Sequence, residues 1–159
     1  LKPQFLKPGS LKIAALANTL NYSLEIFMLT VADIMTHAVA TIASGATVAD
    51  AIELMQQQHI RALLVEHRTQ DMPFGMVTER DIVYTVVARG HAPENVLVQD
   101  IMRQPCISLD PDMTIQEASQ VLSDTGLQRA PVVKAGELLG VISVTDILMR
   151  GMPTLALSR

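Results

Sequence analysis

The chain has 159 residues, a formal net charge of −4 and 49% hydrophobic residues, which suits one compact domain or two small units that share a core. Aromatic residues make up only 3% and Trp is absent, so the core is expected to be aliphatic, filled by Leu, Ile, Val, Ala and nine Met. Without a basic excess or stacking rings, nucleic acid is not an expected partner, and the single cysteine, Cys106, excludes an intrachain disulfide and a thiolate metal cluster.

The opening stretch, LKPQFLKPGSLKIAALANTLNYS, faintly imitates a secretory leader, but its apolar part is short and broken by Asn18, Thr19 and Asn21. Residues 1–29 therefore read as an N-terminal extension or arm, native or not, that stands outside the patterned part. No apolar run reaches the ~20 residues of a membrane span. The expectation is no membrane partner and a reducing, cytoplasmic setting.

From residue 30 the elements follow in order. VADIMT (31–36) leads into an extended segment, VATI (39–42). Thr47 and Asp50 have the hydroxyl-x-x-acid spacing of a capping box. Val48, Ala51, Ile52 and Met55 then fall on one helical face. ALLVE (62–66) reads as a buried strand, and the loop EHRTQDMPF leads to a second strand, FGMV (74–77). The phrase GMVTERDI (75–82) then opens a second helix. ARGHAPENVL (88–97), with Gly90 and Pro93, reads as a linker.

After the linker the text repeats itself. VQDIMR (98–103) matches VADIMT at an offset of 67, as TIQEASQVL (114–122) matches TVADAIELM (47–55). RAPVV (129–133) matches RALLV (61–65) at 68, and GVISVTDI (140–147) matches GMVTERDI at 65. Thr114 and Glu117 repeat the capping box; CISL (106–109), PVVK (131–134) and LLGVIS (138–143) repeat the strands. The fold class is therefore α+β: two β-α-β-β-α repeats related by a pseudo-twofold and packed through their sheets. Repeat one spans 30–87 and repeat two spans 98–150, with a C-terminal tail at 151–159.

The twin phrase carries the candidate chemistry. Thr78 with Asp81, and Ser143 with Asp146, can simply cap helices. The same atoms offer a carboxylate for a vicinal diol, a hydroxyl donor and free N–H groups at a helix start. Arg80, where the other copy has Thr145, adds a cationic fork suited to phosphate. Together these groups describe the ribose and phosphates of a nucleotide. Gly75 and Gly140 would ease close packing or a bulge. His59 ends a helix where a cation is favoured, and His37, His67 and His91 are scattered, so no metal site is expected. Cys106 reads as a small core residue, and Asp110 and Asp112 as turn residues around Pro111. No nucleophile–base pair emerges, so the chain is not expected to be an enzyme.

Residues 30–150 resemble a tandem pair of cystathionine-β-synthase (CBS) domains, a Bateman module, through VADIMT, TVADAIELM, RALLV and GMVTERDI and then VQDIMRQPCISL, TIQEASQVL, QRAPVV and GVISVTDI. The resemblance implies a non-catalytic regulatory module that binds AMP, ADP or ATP as a regulatory ligand in two pseudo-equivalent sites between the repeats. Asp81 and Asp146 would take the ribose, with Thr78 in one copy and Ser143 and Thr145 in the other. Around the base it implies Ala46, His59 and Ile60 for the Asp146 site, with Gln128 nearby. For the Asp81 site it implies Met113, Leu127 and Gln128, with Arg129 supplying charge. It also implies a homodimer or higher homo-oligomer and an unidentified regulated protein as partners. Arg80 departs from the family's hydroxyl, and RALLV lacks the proline that RAPVV has at Pro131. Unequal sites are expected, with adenosine favoured at Asp146 and a more phosphate-dependent, salt-sensitive site at Asp81. The alternative is a structural or oligomerisation module whose ligand sites have degenerated.

Overall fold

Thr47 and Thr114 start the two long helices as their spacing predicts. In the computed structural model, which describes residues 16, 29–66, 74–104 and 106–152, the Asp50 amide donates to Thr47 Oγ1 at 3.1 Å and the Thr47 amide donates to Asp50 Oδ2 at 2.9 Å. Thr114 and Glu117 make the same reciprocal pair. The N-terminal arm apart from residue 16, the loop at 67–73 and the tail beyond 152 lie outside the described residues.

The elements run α1 (Val31–Ile34), β1 (Thr41–Ala43), α2 (Val48–Gln58), β2 (Ala62–Glu66), β3 (Gly75–Thr78) and α3 (Glu79–Ile82). Then come α4 (Val98–Ile101), α5 (Ile115–Thr125), β4 (Arg129–Lys134), β5 (Glu137–Ser143) and α6 (Val144–Asp146). Both α3 and α6 continue in wider turns, through Val83–Val87 and Ile147–Gly151. In the first of these the Ala88 amide reaches back five residues to the Val83 carbonyl at 2.8 Å. In repeat one β1 pairs parallel with β2, and β2 antiparallel with β3. In repeat two β4 and β5 form an antiparallel hairpin.

The first strand expected in repeat two is reduced to a single bridge, Leu109 to Val132. Cys106, Ile107 and Ser108 form no ladder there. Instead the Cys106 amide and Sγ both donate to the Phe74 carbonyl, at 3.1 and 2.9 Å. The start of that segment is thus tied to the strand entry of the other repeat.

The two cores exchange their leading segments. Val31, Ile34 and Met35, which open repeat one, are buried with Leu109, Ile115, Ala118, Leu122, Ala130, Val132 and Ile142 of repeat two. Val98, which opens repeat two, is buried with Ile42, Val48, Ala51, Val65, Val77 and Val86 of repeat one. Backbone bonds fix the crossing: Thr36 and Val141 exchange both N–H···O bonds at 2.9 Å, and Met76 and Arg103 do so at 3.0 and 2.9 Å. Those two bridges are equivalent under the repeat, so the pseudo-twofold holds at the level of single hydrogen bonds.

Candidate functional site

Each copy of the twin phrase places its acid at the end of a strand and the start of a helix. Ser143 ends β5; its amide and Oγ donate to Asp146 Oδ2 at 2.9 and 2.7 Å, and the Asp146 amide returns a bond to Ser143 Oγ at 3.1 Å. Thr78 ends β3 and makes the same bonds to Asp81 Oδ2, at 2.9 and 2.8 Å. The cap therefore uses one oxygen of each carboxylate and leaves Oδ1 for other work.

That second oxygen separates the copies. Asp146 Oδ1 meets the Thr36 hydroxyl at 3.5 Å, with the Arg150 guanidinium at 4.0 Å. Asp81 Oδ1 is held by Arg103 Nε at 3.4 Å, while the two acids are similarly buried, their side chains 10% and 16% exposed. Thr36 and Arg103 are the same position of the two repeats, the last residues of VADIMT and VQDIMR. The crossed segments thus deliver a hydroxyl to one acid and a guanidinium to the other.

Asp146 opens onto a cleft of about 490 Å³ that is also lined by Thr36, Ala40, His59, Ile60, Arg61 and Ser143, with Thr145 and Arg129. Of the residues expected around this acid, Ser143, Thr145, His59 and Ile60 come together here. His59 caps α2 in a left-handed conformation, φ 54° and ψ 41°. Its counterpart Gly126 caps α5 at φ 67°. On the Asp81 side the space is smaller and divided. A cavity of about 70 Å³ is lined by Thr78, Glu79, Arg80, Arg103, Leu127 and Gln128, with Arg61 and Arg129. A neighbouring one of about 200 Å³ is lined by Met76, Arg103, Cys106, Ile107, Leu127 and Arg129 among others. Thr78, Arg80, Leu127, Gln128 and Arg129 therefore line the spaces on this side, while Asp81 is ion-paired to Arg103 and lines neither cavity.

Two expected residues lie elsewhere. Ala46 packs against the first core, and its carbonyl accepts the Val98 amide at 2.9 Å. Met113 packs against the second core, where its carbonyl accepts the Val31 amide at 2.8 Å. Both are occupied in tying the exchanged segments and line neither cleft. Gln128 lines the Asp81 side rather than the Asp146 cleft. Thr36, Arg61 and Arg103 are the site residues that sequence reasoning missed. Their only signal was position, at the end of each leading segment and the start of each RA strand.

Electrostatics follow the asymmetry. Burial pushes the Arg129 guanidinium below its ordinary value; Glu79 opposes this, Arg61 adds to it and Asp146 opposes it. Burial also raises the Cys106 thiol, so it is a poor nucleophile. Among the described residues no three His, Cys, Asp or Glu side chains gather as a metal cage, and no helix is long and apolar enough to cross a membrane.

Comparison with known proteins adds the wider setting. The family model described as the CBS domain matches residues 31–88 and again 98–152. An uncharacterized protein of Methanopyrus kandleri is 36% identical over 109 residues, covering 66% of this chain and 55% of its own length. The CBS domain-containing protein YhcV of Bacillus subtilis is 31% identical, covering 79% of this chain and 87% of its own. The chain thus spans about half of the first relative and most of the second. Among solved structures, the hexameric CBS-CP12 protein from bloom-forming cyanobacteria is 44% identical with a TM-score of 0.75, over 78% of this chain and 72% of that one.

Proposed function

The chain belongs to the CBS-domain family as a tandem pair, and from that premise we propose that it is a non-catalytic, cytoplasmic regulatory module that binds an adenine nucleotide between its repeats. The observation that carries this reading is the Asp146 cleft. A carboxylate with one oxygen fixed by a cap and the other held only at 3.5 Å by the Thr36 hydroxyl and at 4.0 Å by Arg150, in the lining of a cleft of about 490 Å³, is a preorganised diol acceptor. Thr36, Ser143 and Thr145 surround it with hydroxyls, Ala40 and Ile60 offer apolar contact for a base, and Arg61 and Arg129 offer charge for phosphate. The size suits a small-molecule site, ordinarily about 300–1,000 Å³.

Binding would bias how the repeats pack, provided that the two states differ in affinity for the ligand. Output would pass to a partner protein or through oligomer contacts. Homo-oligomer formation is supported by the hexameric relative and by exposed apolar side chains on the second helix of each repeat: Val83, Tyr84 and Val87, then Val144, Leu148 and Met149. A purely structural module is favoured by one observation, the Arg103 ion pair that closes Asp81, but that pair leaves the Asp146 cleft open.

The test is calorimetric titration of AMP and ATP into wild type and Asp146→Asn, which keeps a capping side chain. Loss of a charged hydrogen bond costs roughly 1.5–3 kcal/mol, so affinity is expected to fall about 10- to 150-fold. Equal affinities would remove Asp146 from the site. A wild type that binds neither nucleotide would leave the structural reading.

A further inference from the structure

Arg61 and Arg129 open their repeats' RA strands and are equivalent under the repeat, yet they do not divide between the two clefts. Arg61 lines both the Asp146 cleft and the small cavity behind Arg80, and Arg129 lines those two and the third space beside Cys106. The clefts therefore share two arginines in their linings. Four arginines, Arg61, Arg80, Arg103 and Arg129, line the small cavity with a single carboxylate, Glu79. Among the described residues only Arg103 of these four has an ion-pair partner, Asp81.

Volume and chemistry then separate the two ends. The Asp146 end, about 490 Å³, lies inside the usual range for a small-molecule site. The Asp81 end offers about 70 and 200 Å³, below that range, and its acid is ion-paired to Arg103 at 3.4 Å, closer than Arg150 comes to Asp146 at 4.0 Å. A guanidinium-lined space too small for a nucleoside still accepts phosphate oxygens, for which the planar fork is suited.

Resting on the nucleotide reading above, we propose that the two clefts take one ligand between them. Its nucleoside sits at Asp146, and its phosphate chain runs over Arg61 and Arg129 into the space between Arg80 and Arg103. The module then selects a nucleoside polyphosphate, one per chain, over two monophosphates. Arg103 is the specificity-determining residue: it closes the second diol site and supplies a phosphate contact in its place. An anion laid along Arg61 and the half-buried Arg129 also offsets the repulsion between them.

The experiment is calorimetry on the full chain with AMP, ATP and inorganic tripolyphosphate, repeated on Arg80→Thr and Arg103→Thr. The expected result is one ATP per chain, bound at least about tenfold more tightly than AMP by added charged hydrogen bonds, with ATP displacing tripolyphosphate. Arg80→Thr should shrink the gap between ATP and AMP. Arg103→Thr, which copies the residue at the equivalent position 36, should raise AMP stoichiometry from one to two. Two ATP per wild-type chain, or AMP and ATP bound equally, overturns the shared-ligand proposal while the nucleotide reading stands. Binding of neither nucleotide overturns both. If a variant fails to fold, the wild-type stoichiometry and the ATP-to-AMP ratio decide alone.

Discussion

An added Cβ at Gly140 would lie 2.6 Å from the backbone oxygen of Thr36, while one at Gly75 would meet the Met102 sulfur at 2.6 Å. The glycine that opens each twin phrase is thus where the other repeat's leading segment presses closest. The contacts differ in softness, since a thioether swings aside and a hydrogen-bonded backbone does not. Gly140→Ala is expected to cost about 1–3 kcal/mol by overpacking, and Gly75→Ala less, read by urea melts of the two variants. His59 offers the reverse case. It holds the left-handed cap that Gly126 fills in repeat two, so His59→Gly should stabilise by about 1 kcal/mol. The same change should weaken nucleotide binding, because His59 lines the Asp146 cleft; a raised melting temperature with unchanged affinity would free His59 from that role. The acids and their hydroxyl partners were legible from the sequence because capping bonds span three residues. Thr36 was not, since it meets Asp146 across 110 positions, and local spacing carries no trace of such a contact.

Capping boxes are the device that starts most of these helices, and they set the acid response. The backbone amide and then the hydroxyl of Thr30, Thr47 and Thr114 hold the carboxyls of Asp33, Asp50 and Glu117 below their ordinary values. A carboxyl depressed in the folded state contributes fully above its unfolded value and loses that contribution as pH falls through the folded one. The contribution of these three boxes to thermal stability should therefore be constant above about pH 5 and be lost progressively below about pH 4. In Asp50→Asn the slope on the acid side should be shallower, which melts across that range would show. The pattern of long helices and hairpin strands could be read from periodicity. The wider turns after α3 and α6 could not, because each covers only five residues, too few for a change of period to be read from the sequence. The reduction of CISL to one bridge also went unseen. Its β-type composition is real, but Cys106 is tied by both its amide and its thiol to Phe74.

At the scale of the whole molecule the exchanged segments make each core a joint product of both repeats. Val31 and Val98 are equivalent, both fully buried, and each lies in the other repeat's core. Val31→Ala should cost on the order of 2 kcal/mol and chiefly loosen β4 and β5, far along the chain; Val98→Ala should chiefly loosen β2 and β3. Hydrogen exchange mapped by segment would show this inversion, and protection lost only in the mutated residue's own repeat would refute it. The doubling of the text announced the repeat, but a four-residue amphipathic turn does not say which core it joins. That exchange bears on how such a chain can arise. A lone repeat carries an arm shaped for a core it does not own, and the core it does own waits for an arm. Two copies satisfy each other, so the smallest self-sufficient unit is a pair of repeats, whether joined or not. Fusing them replaces a dilute encounter with a tethered one, at an effective concentration in the millimolar range for a short flexible link. Within one chain the equivalent positions 36 and 103 need not match, and they hold threonine and arginine.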